Sequence, residues 1–284
     1  MSFESMSSGV FQMDKNEKVI LNNGIEMPIL GLGIYAPGEK NEVRQAVEWA
    51  IETGYRLIDT ASVYKNEEEV GQGIIDSGIK RGELFITSKV WDDEQGFDST
   101  LRAFDRSSER LQTDYLDLYL VHWPVSKTRK ETWLALEKLY VEKRVRAIGV
   151  SNYYQSHLEE LFGYASVIPA VNQFEQSPFL YLPDLLNYCD EKAIRPEGYA
   201  PLVRGKHENN PTLVAVANNH GKSTYQVLIR WALQHGIVTI PKSTNQERIK
   251  ANFDVWDFVI SPAEMDQLNK LDAGVRVAND PSEY

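Results

Sequence analysis

Short apolar runs alternate with amphipathic stretches along almost the whole chain, and this rhythm restricts the possible fold more than any other feature. The apolar runs cover residues 29–35, 56–60, 84–90, 116–122, 147–152, 170–174, 195–199 and 237–241. Most are brief and β-branched, as expected of parallel strands buried on both faces. Between them, residues 42–53 bring Val43, Ala46, Val47 and Ala50 onto one helical face. Residues 132–142 do the same with Trp133, Leu136, Leu139 and Tyr140, and residues 224–234 with Val227, Leu228, Trp231 and Ala232. Further helices are predicted over 184–192, 246–252 and 263–271. Eight β-then-α units in about 250 residues suit a closed barrel better than an open doubly wound sheet. The expected fold is therefore α/β, a (β/α)8 TIM barrel.

Ahead of the first unit, Asn22-Asn23-Gly24 separates two apolar runs and predicts an N-terminal β-hairpin. Residues 1–17 read as a poorly ordered extension and 18–284 as a single barrel domain, since no Pro/Ser/Gly-rich linker interrupts the series. Thirty Lys and Arg against 41 Asp and Glu give a net charge of −11. That balance argues against nucleic acid and anionic membrane as partners, and any anionic ligand must find local positive charge. No apolar run reaches the roughly 18–20 residues of a membrane span, and the N-terminus lacks the pattern of a secretory signal. The lone cysteine, Cys189, forms no intramolecular disulfide, which fits a reducing compartment and a cytoplasmic location.

In a barrel of this type the reactive groups sit where strands end and loops begin. The second strand ends at Ile58-Asp59-Thr60 with Tyr64 just beyond, the third at Lys89-Val90-Trp91, and the fourth at His122-Trp123-Pro124. Asp59, Lys89 and His122 at the ends of buried strands are costly unless paired or used. Together with Tyr64 they suit carbonyl reduction. A phenol is a sluggish acid at neutral pH, and a neighbouring ammonium lowers its pKa. Tyr64 is then the general acid, Lys89 its tuner, Asp59 the anchor of the lysine, and His122 the group that orients the carbonyl oxygen. His157, His207, His220 and His235 have no ligand spacing and read as solvated, so no metal is expected.

The segments LIDTASVYKNEEEVG (57–71), ITSKVW (86–91), YLDLYLVHWP (115–124), IGVSNY (148–153), IPAVNQFE (168–175) and IPKSTNQERIKANFDVWDF (240–258) resemble, in order, the signatures of the aldo-keto reductase family, in its bacterial form. The resemblance implies NADPH-dependent reduction of aldehydes and ketones by the same four residues, in a monomer. It implies that Ser151, Asn152 and Gln173 hold the nicotinamide carboxamide and that Tyr199 stacks on its ring. Leu202, Lys242, Ser243, Arg248 and Asn252 match further cofactor positions. Lys242 and Arg248 supply the local cations that a 2′-phosphate needs, which favours NADPH over NADH. Tyr35, Trp91 and Trp123 match positions lining the substrate pocket. The short loop 124–130 and the short tail after Leu271 suggest an open pocket for a small carbonyl substrate. Departures from the family pattern are Lys65 in place of a frequent Gly, Ala251 of a Glu, Ala200 of a Ser, and Ser177 of a His.

Two other readings compete. Gly31-Leu-Gly33-Ile-Tyr-Ala36 matches a dinucleotide-binding G-x-G-x-x-A, but Pro37-Gly38 interrupts before any helix can open. The segment 149–153 lacks the last glycine of a nucleophile elbow, which disfavours a hydrolase. A non-catalytic alternative is an NADPH-binding redox sensor with little turnover.

Overall fold

The structure, a computed structural model, describes residues 13–36 and 40–284. Of the expected N-terminal extension, residues 1–12 lie outside the described residues. Residues 13–17 are described: Met13 packs against the hydrophobic core, and Glu17 N donates to Asp14 O at 3.0 Å. The hairpin follows as β1 (Lys18–Ile20) and β2 (Glu26–Pro28), antiparallel, with Gly24 at φ 83° in the turn between them.

Eight parallel strands then run in sequence order: β3 (Leu32–Gly33), β4 (Leu57–Asp59), β5 (Phe85–Val90), β6 (Leu116–Val121), β7 (Val145–Ser151), β8 (Val171–Glu175), β9 (Arg195–Tyr199) and β10 (Val238–Thr239). Each pairs with the next, and the ring closes through parallel bridges Leu30↔Thr239 and Gly33↔Lys242. The first and last strands are shorter than the runs that predict them because their pairing at this seam is confined to isolated bridges. Gly31 and Gly33 lie at the seam, where a Cβ on Gly33 would meet Ile240 O at 2.7 Å and one on Gly31 would meet Leu57 Cγ at 2.5 Å. These two glycines thus let the barrel close. That requirement accounts for the pattern that imitates a dinucleotide-binding loop.

Helices α1 (Lys40–Thr53), α2 (Glu67–Asp76), α3 (Phe97–Arg110), α4 (Arg129–Val141), α5 (Gln155–Phe162) and α6 (Pro183–Glu191) follow β3 to β8 in turn. After β9 come α7 (Pro211–His220) and α8 (Thr224–Gln234), and after β10 come α9 (Gln246–Phe253) and α10 (Pro262–Asn269). Apolar spacing does not single out α2, α3, α5 or α7. In α3 the buried face is Thr100, Ala103, Phe104 and Ser107, half of it polar, and α2 carries two glycines. α8 and α10 start on capping boxes, Ser223 with Gln226 and Ser261 with Glu264.

Two separate apolar cores result. The larger lies between strands and helices. The smaller fills the barrel interior with Leu57, Phe85, Leu118, Leu120, Ala147, Val171, Val238 and Ile240, and takes in Leu21 and Met27 from the hairpin. The hairpin therefore covers the N-terminal mouth, aided by bonds from Asn22 to Pro169 O and from Asn23 to Arg146 O. Side chains alternate along a strand, so Asp59, Lys89, Ser151, Gln173 and Glu197 face the same interior as those apolar residues. They occupy its other end. No helix among the described residues is long and apolar enough to cross a membrane.

Candidate active site

At the C-terminal end of the barrel, Lys89 Nζ lies 2.6 Å from Asp59 Oδ1 and donates to Thr60 O at 2.9 Å. Lys89 and Asp59 are both buried. Burial alone would discharge the ammonium; Asp59 and the Tyr64 phenol more than offset it and hold its pKa above the ordinary lysine value. Lys89 Nζ is 5.3 Å from the centroid of the Tyr64 ring. Tyr64 reaches this position because a short 3-10 turn, Ser62–Tyr64, follows β4 directly. Thr60 donates to Asn66 Oδ1 at 2.8 Å, and Asn66 Nδ2 donates to Ile34 O at 2.8 Å, which fastens that loop from behind.

The direction of the Tyr64 shift departs from the expectation. Burial raises the phenol pKa most, the Lys89 charge and hydrogen bond lower it, and Asp59 raises it again, leaving it above 10.0. Lysine thus moderates a desolvation effect larger than its own. His122 faces Tyr64 edge-on at 5.8 Å between ring centroids and Trp91 at 5.0 Å. Burial and the Lys89 charge push the imidazole pKa well below 6.5, so it is neutral at pH 7. The structure brings all four predicted residues to one rim.

A second arc adjoins them. Asn152, at φ 65°, donates from Nδ2 to His122 O at 3.0 Å and to Ser151 Oγ at 3.1 Å. Tyr199 OH donates to Asn152 Oδ1 at 2.8 Å. Gln173 Nε2 donates to Asp59 Oδ2 and to Glu197 Oε2, both at 2.9 Å. Of the remaining predicted cofactor residues, Lys242 and Ser243 lie on the β10–α9 connection and Arg248 and Asn252 within α9. Ser243 is buried, Arg248 is exposed in the first turn of α9, and Asn245 caps that helix by accepting from Arg248 N at 3.0 Å. Leu202 packs half-buried against the core beside the turn Val203–Gly205.

Around the mouth, Tyr35 is 50% exposed and meets Tyr64 edge-on at 5.0 Å. Trp123 is buried, and the open pocket inferred from a short tail needs correction. Tyr284 stacks on Trp123 at 4.7 Å and 18° between planes. The tail returns across the mouth because Glu175 accepts from the backbone N–H groups of Val277 at 2.7 Å and Ala278 at 3.0 Å, while Arg276 binds Tyr154 and Asp280. Sequence reading missed Glu175, Glu197 and the tail. The inward parity of Glu175 and Glu197 with Gln173 and Tyr199 was the available signal. The remaining histidines are less solvated than expected: His157 is buried, His235 packs on Trp231 at 4.6 Å, and His207 stacks on Phe179 at 4.3 Å. Among the described residues, no group of three or more His, Cys, Asp or Glu could hold a metal ion.

A family model described as the aldo/keto reductase family matches residues 29–273. The chain is 51% identical to glyoxal reductase of Bacillus subtilis over 267 residues, which cover 94% of this chain and 97% of that protein. It is 49% identical to the 9,11-endoperoxide prostaglandin H2 reductase of Trypanosoma cruzi, covering 94% and 95% of the two chains. Among solved structures, the Bombyx mori aldo-keto reductase in complex with NADP superposes with a TM-score of 0.88 at 35% identity, covering 94% of this chain and 96% of that one.

Proposed function

Because the chain belongs to the aldo/keto reductase family, we propose that it reduces small aldehydes, ketones and α-dicarbonyls to alcohols with NADPH, and that Tyr64 is the proton donor. The observation that carries this reading is the Asp59-held ammonium of Lys89 set 5.3 Å from the Tyr64 ring, with a neutral His122 edge-on to the same ring at 5.8 Å. Of the two groups able to face a carbonyl oxygen, His122 carries no spare proton at pH 7, whereas Tyr64 does. The phenol stays protonated until needed. As its proton leaves, the Lys89 charge stabilises the phenolate, acting more strongly from its buried position than it would in bulk water. His122 hydrogen-bonds the carbonyl oxygen and sets its angle to the phenol.

The residues fit NADPH. Ser151, Asn152 and Gln173 offer an amide-binding edge beside the Tyr199 ring. Lys242 and Arg248 flank the N-terminus of α9, where backbone N–H groups already favour an anion. When bound, NADPH supplies the hydride. The mouth formed by Tyr35, Trp91 and Trp123, narrowed by Tyr284, favours small substrates. The decisive experiment replaces Tyr64 with Phe. NADPH affinity, followed by fluorescence titration, is expected to persist while NADPH oxidation with glyoxal or methylglyoxal falls by about 10²–10⁴-fold. Undiminished turnover would refute the proton-donor role.

A further inference from the structure

Glu197 is wholly buried in the middle of β9, inside the barrel, and no feature of the proton-transfer chemistry requires it. Its Oε2 accepts one hydrogen of the Gln173 amide at 2.9 Å, and Asp59 Oδ2 accepts from the same nitrogen at 2.9 Å. Asp59 is ion-paired with Lys89 and can only accept, so Gln173 must direct its NH2 group inward. A buried N–H left without an acceptor is expensive, which makes the two carboxyl groups a fixed cradle for this amide.

On the reductase reading above, we propose that Glu197 is a positioning residue for the nicotinamide. With Asp59 it engages both hydrogens of the Gln173 amide, leaving the amide oxygen as the atom that meets the nicotinamide carboxamide. Gln173 then accepts from the cofactor amide and cannot present its own NH2 instead. Glu197 also adds a switchable charge at this place. The charged and titratable groups facing it are Asp59 from β4 and Lys89 from β5, with the neutral Gln173 from β8 between. Burial, and after it the Asp59 charge, raise the Glu197 pKa to about 8. Lys89 and Tyr64 both titrate above their ordinary values and His122 far below its own. Between pH 7 and 9, therefore, Glu197 is the member of this cluster that gains negative charge. That charge favours the positively charged oxidised nicotinamide over the neutral reduced one.

The test compares the wild-type chain with E197L and E197Q by titration with NADPH, NADP+ and adenosine 2′,5′-bisphosphate, which lacks the nicotinamide. E197L, which deprives Gln173 of an acceptor, is expected to weaken NADPH binding by about tenfold and leave the bisphosphate affinity unchanged. E197Q retains an acceptor and is expected to restore NADPH affinity at pH 7. Equal loss for both probes, or no loss for either, overturns the proposal. Should E197L fail to fold, the pH arm decides. From pH 7 to 9 the wild-type preference for NADP+ over NADPH is expected to rise about threefold, and E197Q to stay flat. The same rise in E197Q overturns the proposal. A wild-type chain that binds neither nicotinamide cofactor overturns the reductase reading itself, a result distinct from either failure of Glu197.

Discussion

The two ends of the barrel interior are built from the same strands, often from residues two or four apart, yet they obey different rules. At the N-terminal end Leu57, Phe85, Leu118 and Ala147 pack with Leu21 and Met27 of the hairpin. The buried carboxylate at that end, Asp117, points outward and is fully engaged by Arg81 at 2.7 Å, Arg146 at 2.6 Å and Ile86 N at 2.9 Å. At the C-terminal end Asp59, Lys89, His122, Gln173 and Glu197 share the interior, and His122 Nδ1, Glu197 Oε1 and Thr87 Oγ1 have no hydrogen-bond partner. Buried polar groups left partly unsatisfied cost stability. One end is thus arranged for folding and the other holds groups whose value lies in what they can bind.

The contrast breaks most forcefully at Lys89. Lys89→Met removes the ammonium behind Tyr64 and strands the Asp59 carboxylate in a buried site. Turnover is expected to fall by about 10²–10⁴-fold, and chemical denaturation to report a loss of about 3–5 kcal/mol. Adding Asp59→Asn removes the stranded charge, so stability should return while turnover does not. Recovery of both would mean that the pair serves the fold alone.

The opposite end gives the converse. Leu118→Ala, at a fully buried position of the inner core, is expected to cost about 2–5 kcal/mol in the same denaturation measurement. The kcat of the folded enzyme at 25 °C should be unchanged, because Leu118 belongs to the inner apolar cluster, which contains none of the four rim residues. A matching loss of kcat would show that the two halves are coupled through strand β6.

This division also explains what the sequence could reveal. Eight strands were legible because parallel strands buried on both faces are apolar runs, and the four rim residues because charge at the end of such a run is conspicuous. The polar-faced α3 and the glycine-bearing α2 lacked that contrast. Glu197 is inconspicuous for a different reason: it sits in mid-strand, between Pro196 and Gly198, and only its parity with Tyr199 on the same strand marks it as pointing into the barrel. The tail was misjudged because its length says nothing of the Glu175 carboxylate that captures its backbone, 102 residues away in sequence. The phenol shift of Tyr64 required burial, which only three dimensions supply.

Left-handed backbone sharpens the comparison at the smallest scale. At the N-terminal end Gln112, Lys143 and Ala193 take positive φ just past the ends of α3, α4 and α6, where such a residue terminates a helix. At the C-terminal end Lys65, Asn152 and Ala200 take it in the connections that carry the site. Lys65 follows Tyr64 at φ 55° and ψ 34°, with its N–H bound to Ser62 O, so the turn that delivers the phenol is closed by a residue with an unfavourable backbone. Glycine would relieve that conformation, while its freedom in the unfolded chain takes back part of the gain. Lys65→Gly is accordingly expected to stabilise the fold by about 0.5 kcal/mol, read as a small rise in denaturation midpoint, with the Tyr64-dependent turnover retained. A loss of turnover without a loss of stability would mean that the stiffness of Lys65, rather than the Thr60–Asn66–Ile34 bonds behind the loop, holds the phenol against Lys89.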